Sequence, residues 1–218
     1  MEHDINPTRV IIDLTDSEEV ADKYEKWLSK GIQVVTASKT VGAGPYDRFQ
    51  AVCKAAAATG SMWASECSVG AALPLINTLK DMQFTGDKIY AVEGVFSGTL
   101  TYVAQLMEKG SSLHDALKEA QDKGFTEPDP RSDLSGLDVA RKLVILAREL
   151  GMKISLSDVK IESGITAELS AWQVDAFPDL FCCVGLGWVH TGGSYSLRVA
   201  EALACSMTTC SQHHYLTT

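Results

Sequence analysis

Residues 9–36, RVIIDLTDSEEVADKYEKWLSKGIQVVT, decide the fold class. Arg9 to Thr15 is a short β-branched apolar run, which predicts a strand buried on both faces. Asp16 and Glu19 have capping-box spacing, and Val20, Tyr24, Trp27 and Leu28 recur at helical intervals before Gly31 stops the helix. Ile32 to Thr36 then predicts a second strand. Strand, crossover helix and strand in this order make a βαβ unit. The sheet is therefore parallel, with any ligand crevice beyond the carboxyl ends of its strands.

Thr15 and Lys39 fall at those ends. A lysine there reads either as a surface residue or as a cation facing a bound anion or a reacting oxygen. Gly42 and Gly44 in VGAG resemble a phosphate loop only weakly, because position 47 is Asp rather than Gly and no Gly-Lys-Ser/Thr follows. Tyr46 to Thr59 predicts an Ala-rich helix closed by Gly60, and Met62 to Ser65 a short strand. The strand leads into ECSVGAALP, residues 66–74. This is either a tight strand-to-helix turn or a carboxylate and small-residue turn whose carbonyls hold a hard cation. Lys88 to Phe96 predicts another strand, after which Ser97 caps a helix from Gly98 to Glu108 that Gly110 ends.

The densest cluster of chemistry-bearing residues is Gly124 to Lys142, GFTEPDPRSDLSGLDVARK. Before it, Ser112 caps an amphipathic helix that runs to Lys123. Pro128 and Pro130 predict extended chain, and Asp133 or Ser135 can cap a second helix ending at Gly151. Leu137, Val139, Ala140, Leu143, Val144, Leu146, Ala147 and Leu150 share one side of that helix. Asp138, Arg141, Lys142, Arg148 and Glu149 share the other. Asp138 and Lys142 are neighbours one turn apart, which by spacing alone is an exposed ion pair. Ile145 in the middle of the charged side argues that this side looks into something other than bulk water.

The chain has 218 residues, 45% hydrophobic and 22% charged, an ordinary balance for a soluble globular protein. A net charge of -9 without a basic stripe argues against a nucleic-acid partner. The longest apolar run, Leu180 to Val189, falls short of a membrane span, so no membrane is expected as a partner. Its N-terminus carries no visible targeting pattern. Six cysteines show no regular framework and read as free thiols. Beyond Ser163 the composition shifts, and Arg198 is the only Lys or Arg. Cys205, Cys210, His213 and His214 there match no familiar zinc module.

GFTEPDPRSDLSGLDVARKLVILARELG resembles the signature of the homoserine dehydrogenase family, including the dehydrogenase half of bifunctional aspartate kinase-homoserine dehydrogenases. The similarity extends through VIIDLTDSEEVADKYEKWLSKGIQVVTASK, ECSVGAALPLINTL and EGVFSGTLTYV, covering residues 9–162. It implies an α/β fold: a partial Rossmann-like parallel sheet followed by an α+β catalytic and dimerisation domain. The expected domains are a nucleotide-domain remnant over 1–60, the catalytic and dimerisation part over 61–162, and a divergent tail over 163–218.

The resemblance implies NAD- or NADP-dependent interconversion of L-aspartate 4-semialdehyde and L-homoserine, on the route to threonine, methionine and isoleucine. Lys142 matches the family's general acid, and Glu127 and Asp138 its substrate-binding acids. Lys39 matches a second active-site lysine near cofactor and substrate, and Thr15 a cofactor contact. Glu66, Val69, Ala71 and Leu73 match a site for a monovalent cation, sodium or potassium. A homodimer in the cytoplasm or plastid is expected. Two departures stand out: ASKT replaces the family's Pro-Asn-Lys-Lys type of run around Lys39, and the family's glycine-rich phosphate loop lies upstream of the strand that here begins at Arg9. They support a second expectation, a catalytically dead truncated or splice product that retains an oligomerisation surface.

Overall fold

A computed structural model of the chain describes residues 8–126, 130–162, 186–190 and 196–200. It forms two compact units: residues 1–90 with 141–159, and residues 91–140 with 160–218.

The first unit is built on a sheet of β1 (Val10–Asp13), β2 (Gln33–Thr36) and β3 (Trp63–Ala64), in that order. Both pairings are parallel, as the βαβ reading requires. The crossover from β1 to β2 consists of two short helices, α1 (Glu18–Ala21) and α2 (Tyr24–Leu28), where the sequence predicts one. A tight bond from Lys23 N to Val20 O separates them, and Ser17, not Asp16, caps the first. Ala21, Tyr24, Leu28, Val34, Val41, Val52 and Ala55 form the core on the covered face of the sheet. Helix α3 (Tyr46–Thr59) contributes the last two and ends at Gly60, whose φ of +68° is the left-handed turn that glycine adopts without strain.

Burial of β1 on both faces is not what the structure shows. Val10 and Ile12 are 52% and 68% exposed, and Leu14 just beyond them is 78% exposed. Alternation explains this: Ile11 and Asp13 turn toward the helices, and Val10 and Ile12 toward the opposite face. Among the described residues only the first face is covered.

In the second unit, β4 (Ala91–Gly94), β5 (Lys160–Glu162), β6 (Leu186–His190) and β7 (Ser196–Ala200) form a sheet ordered β4-β7-β6-β5. Only β4 and β7 pair in parallel. Helix α4 (Leu75–Phe84) belongs to the first unit, while α5 (Gly98–Glu108), α6 (Leu113–Asp122) and α7 (Pro130–Leu134) belong to the second. Val103, Ala116 and Ala120 pack α5 on α6. Pro130 opens a helix where extended chain is predicted, because the first helical turn has no use for the amide hydrogen that proline lacks. Gly136, at φ +73°, separates α7 from α8 (Leu137–Glu149), and Leu137 N donates to Ser135 Oγ at 3.3 Å.

Leu143, Val144 and Leu146 of α8 are fully buried, each contributing roughly 1.5–3 kcal/mol. On the charged side of α8, Ile145 is 2% exposed, in keeping with a side that does not face bulk water, and Arg148 is buried with it at 3%. No helix among the described residues is long and apolar enough to cross a membrane.

Candidate functional site

Three sequence-derived site residues follow the carboxyl ends of three adjacent parallel strands. Thr15 comes after β1, Lys39 after β2 and Glu66 after β3, with Asp13 and Thr36 in register across the first pair. This is the end of a parallel sheet where crevices form, since the connecting loops diverge there.

Thr15 is exposed and is held by its neighbour: its amide and hydroxyl both donate to Asp13 Oδ1, at 2.9 and 2.7 Å. The buried Tyr24 hydroxyl donates to the other oxygen of Asp13. Burial pushes the Asp13 carboxyl up, but the hydrogen bonds from Tyr24 and Thr15 outweigh it and hold the group below the usual carboxylate range. Burial and the bond to Asp13 push the Tyr24 phenol well above its ordinary value.

Lys39 is half-buried in the loop from β2 to α3. Its carbonyl accepts from Ala43 N at 2.8 Å, which closes a turn. Around it, Ser38 N donates to Thr36 Oγ1 at 2.9 Å, and Ser38 Oγ donates to Thr40 Oγ1 at 2.8 Å. Gly42 and Gly44 serve this turn as close-packing positions. A Cβ on Gly42 would lie 2.9 Å from Ile145 Cγ1, and one on Gly44 would lie 2.2 Å from the Thr40 carbonyl oxygen. The loop is therefore packed against protein at both glycines, which explains them without a phosphate.

Asp138 lies in the first turn of α8 and Lys142 one turn later, both half-buried, while Arg141 between them is exposed. The two side chains share one stripe of the helix. Glu127 lies outside the described residues, as do Cys182, Cys183, Cys205, Cys210, His213 and His214. Cys53 and Cys67 are free thiols, as expected. Among the described residues no cluster of three or more His, Cys, Asp and Glu could hold a metal.

Glu66 does something the sequence did not announce. Its two oxygens accept from Ile76 N at 2.8 Å and Asn77 N at 2.9 Å, so it caps the start of α4 from a distance. Between Glu66 and that helix, Gly70 and Ala71 both have positive φ, +80° and +51°. A non-glycine residue there is uncommon and bends the chain sharply around Val69 to Leu73. The Leu73 carbonyl accepts from Leu75 N at 2.8 Å.

A cavity of about 660 Å³ in the second unit escaped the sequence reading. Val95, Ser97, Thr99, Tyr102, Gln105 and Phe125 line it. Its volume is in the range of small-molecule sites. Thr99 Oγ1 donates to the Phe125 carbonyl at 2.5 Å, and the rings of Phe125 and Tyr102 meet edge to face at 5.0 Å. Phe125 lies two residues before Glu127. The signal that could have found it was the Ser-Gly-Thr at the start of α5, a helix N-terminus opening on a small-residue turn.

The parallel sheet, with Thr15, Lys39 and Glu66 just beyond its strand ends, defines a Rossmann-like α/β fold. Two family models match: "Homoserine dehydrogenase, NAD binding domain" over residues 2–66, and "Homoserine dehydrogenase" over residues 74–202, more than half of the chain. The chain belongs to the homoserine dehydrogenase family. A bifunctional aspartokinase/homoserine dehydrogenase 1, chloroplastic, from Zea mays is 45% identical over 76% of this chain. The homoserine dehydrogenase of Schizosaccharomyces pombe is 42% identical over 74% of it. A solved homoserine dehydrogenase from Thiobacillus denitrificans superimposes with a TM-score of 0.56 at 28% identity, covering 69% of this chain and 35% of that one. The chain spans 18% of the maize relative and 45% of the fission-yeast relative.

Proposed function

We propose that the chain serves NAD- or NADP-dependent interconversion of L-aspartate 4-semialdehyde and L-homoserine. The observation that carries this reading is the meeting of two lysine-bearing elements in one unit: the strand-end loop of Lys39 packs through Gly42 against Ile145 of α8, the helix of Lys142.

Exposed Thr15 and half-buried Lys39 are a hydroxyl and a cation at adjacent strand ends, chemistry suited to the ribose and phosphate groups of a dinucleotide. A bound nicotinamide supplies hydride transfer. Lys142 acts as the general acid: its ammonium donates a proton to the aldehyde oxygen as negative charge develops there, and takes it back in the alcohol-oxidising direction. Asp138, with Glu127, accepts hydrogen bonds from the substrate's ammonium and hydroxyl groups.

Glu66, Val69, Ala71 and Leu73 would hold a monovalent cation, sodium or potassium. A carboxylate can accept more than the two backbone bonds Glu66 receives, and carbonyl oxygens with carboxylates are the ligands such hard cations take. A homodimer belongs to the same reading, and the chloroplastic maize relative favours a plastid location.

The test is homoserine-dependent reduction of NADP⁺ by the purified chain, alongside calorimetric titration with NADP⁺. Lys142→Ala should lower kcat/KM by about 10²–10⁴. Unchanged activity in that variant removes the role given to Lys142, and a folded chain without nucleotide binding favours a non-catalytic interaction module.

A further inference from the structure

Arg148 is a guanidinium buried to 3% exposure, and no carboxylate forms an ion pair with it among the described residues. Its Nε donates to the Ile154 carbonyl at 3.0 Å and its Nη1 to the Gly42 carbonyl at 2.8 Å. Its Cζ lies 5.4 Å from the Tyr46 ring centre and 5.3 Å from that of Phe49, while Nη2 has no hydrogen-bond partner among the described residues. A buried charge held by carbonyls and ring faces is a poor device for stability, since an apolar side chain of similar size avoids the desolvation.

The place where Arg148 is anchored suggests a use. The Gly42 carbonyl belongs to the turn whose first residue is Lys39, closed by the bond from Ala43 N to Lys39 O. The far side of the same turn is held by Arg48, whose Nη2 donates to the Thr40 carbonyl at 2.7 Å and whose Nη1 pairs with Glu18 and Asp22. On α8, Ile145 lies between Lys142 and Arg148 and fills the space left by the missing side chain of Gly42. Loop and helix are thus joined by one packed contact and one forked cation.

We infer that Arg148 is a positioning residue, which sets the Lys39 loop against the helix carrying Lys142 so that the two ammonium groups keep a fixed separation. This rests on the functional reading above, because only that reading assigns both lysines to one reaction. Arg148 acts through the backbone at Gly42.

The test pairs Arg148→Met, similar in reach and uncharged, with Arg148→Lys, which keeps the charge and loses the fork. Hydrogen exchange followed by mass spectrometry should show residues 39–44 exchanging at least tenfold faster in Arg148→Met, with α3 and α8 protected as in the parent. In homoserine oxidation, kcat should fall at least tenfold while KM for homoserine stays within twofold, and Arg148→Lys should recover only part of both effects. Parent-like exchange at 39–44 in a folded Arg148→Met chain overturns the inference. Should that variant fail to fold, parent-like exchange in Arg148→Lys overturns it equally. A parent chain without activity counts against the functional reading, while the exchange result still decides the role of Arg148.

Discussion

Asp13 is 4% exposed, yet it stays below the usual carboxylate range because three donors from Tyr24 and Thr15 converge on it. A carboxyl whose folded pKa lies below its unfolded value near 3.9 stabilises the fold above that value, and the contribution is lost as pH falls through the folded pKa. Tyr24→Phe removes the buried donor and should destabilise by about 1–3 kcal/mol at neutral pH. The difference from the parent should shrink in acid, where Asp13 is protonated in both, and urea midpoints across that range check it. At Cys53, burial and the nearby Glu149 charge push the thiol up to about 11. At pH 8 its thiolate is on the order of one part in a thousand, so iodoacetamide should label exposed Cys67 well before Cys53, as peptide mass mapping would show.

At the scale of elements, legibility followed locality. Helices α3 and α5 run over the residues predicted, because their boundaries are written nearby: Gly60 turns left-handed, and Ser97 Oγ accepts from Leu100 N at 3.1 Å. Ser97→Ala should accordingly lower stability by about 0.5–2 kcal/mol in thermal melts. The packing of the β2–α3 loop was not legible, since nothing local shows what its glycines touch. Gly44→Ala drives a methyl into the backbone oxygen of Thr40 and should destabilise by about 1–3 kcal/mol. Gly42→Ala meets only the Ile145 side chain and should be milder. Equal Tm losses for the two would contradict this geometry.

For the molecule as a whole, the uneven covering of the first sheet matters most. Val10 and Ile12, with Leu14 after them, are bare on a strand that pairs only with β2 among the described residues. An exposed apolar edge is a template for association. Ile12→Lys should raise the temperature at which light scattering begins, leaving far-UV circular dichroism unchanged; an unmoved onset would show that this edge does not drive aggregation.

Read alone, the amino-acid order determined helices α3 and α5, the parallel βαβ arrangement, and the resemblance that led to Lys39, Asp138 and Lys142, because periodicity, caps and motifs are carried by neighbours in the chain. Tertiary structure alone decided that Arg148 is buried under the Lys39 loop, that Glu66 caps α4, that Gly42 makes room for Ile145, and that β1 has a bare face. Each of these is a contact, or a missing one, between residues far apart in sequence, and side-chain burial is set by what the rest of the fold brings alongside.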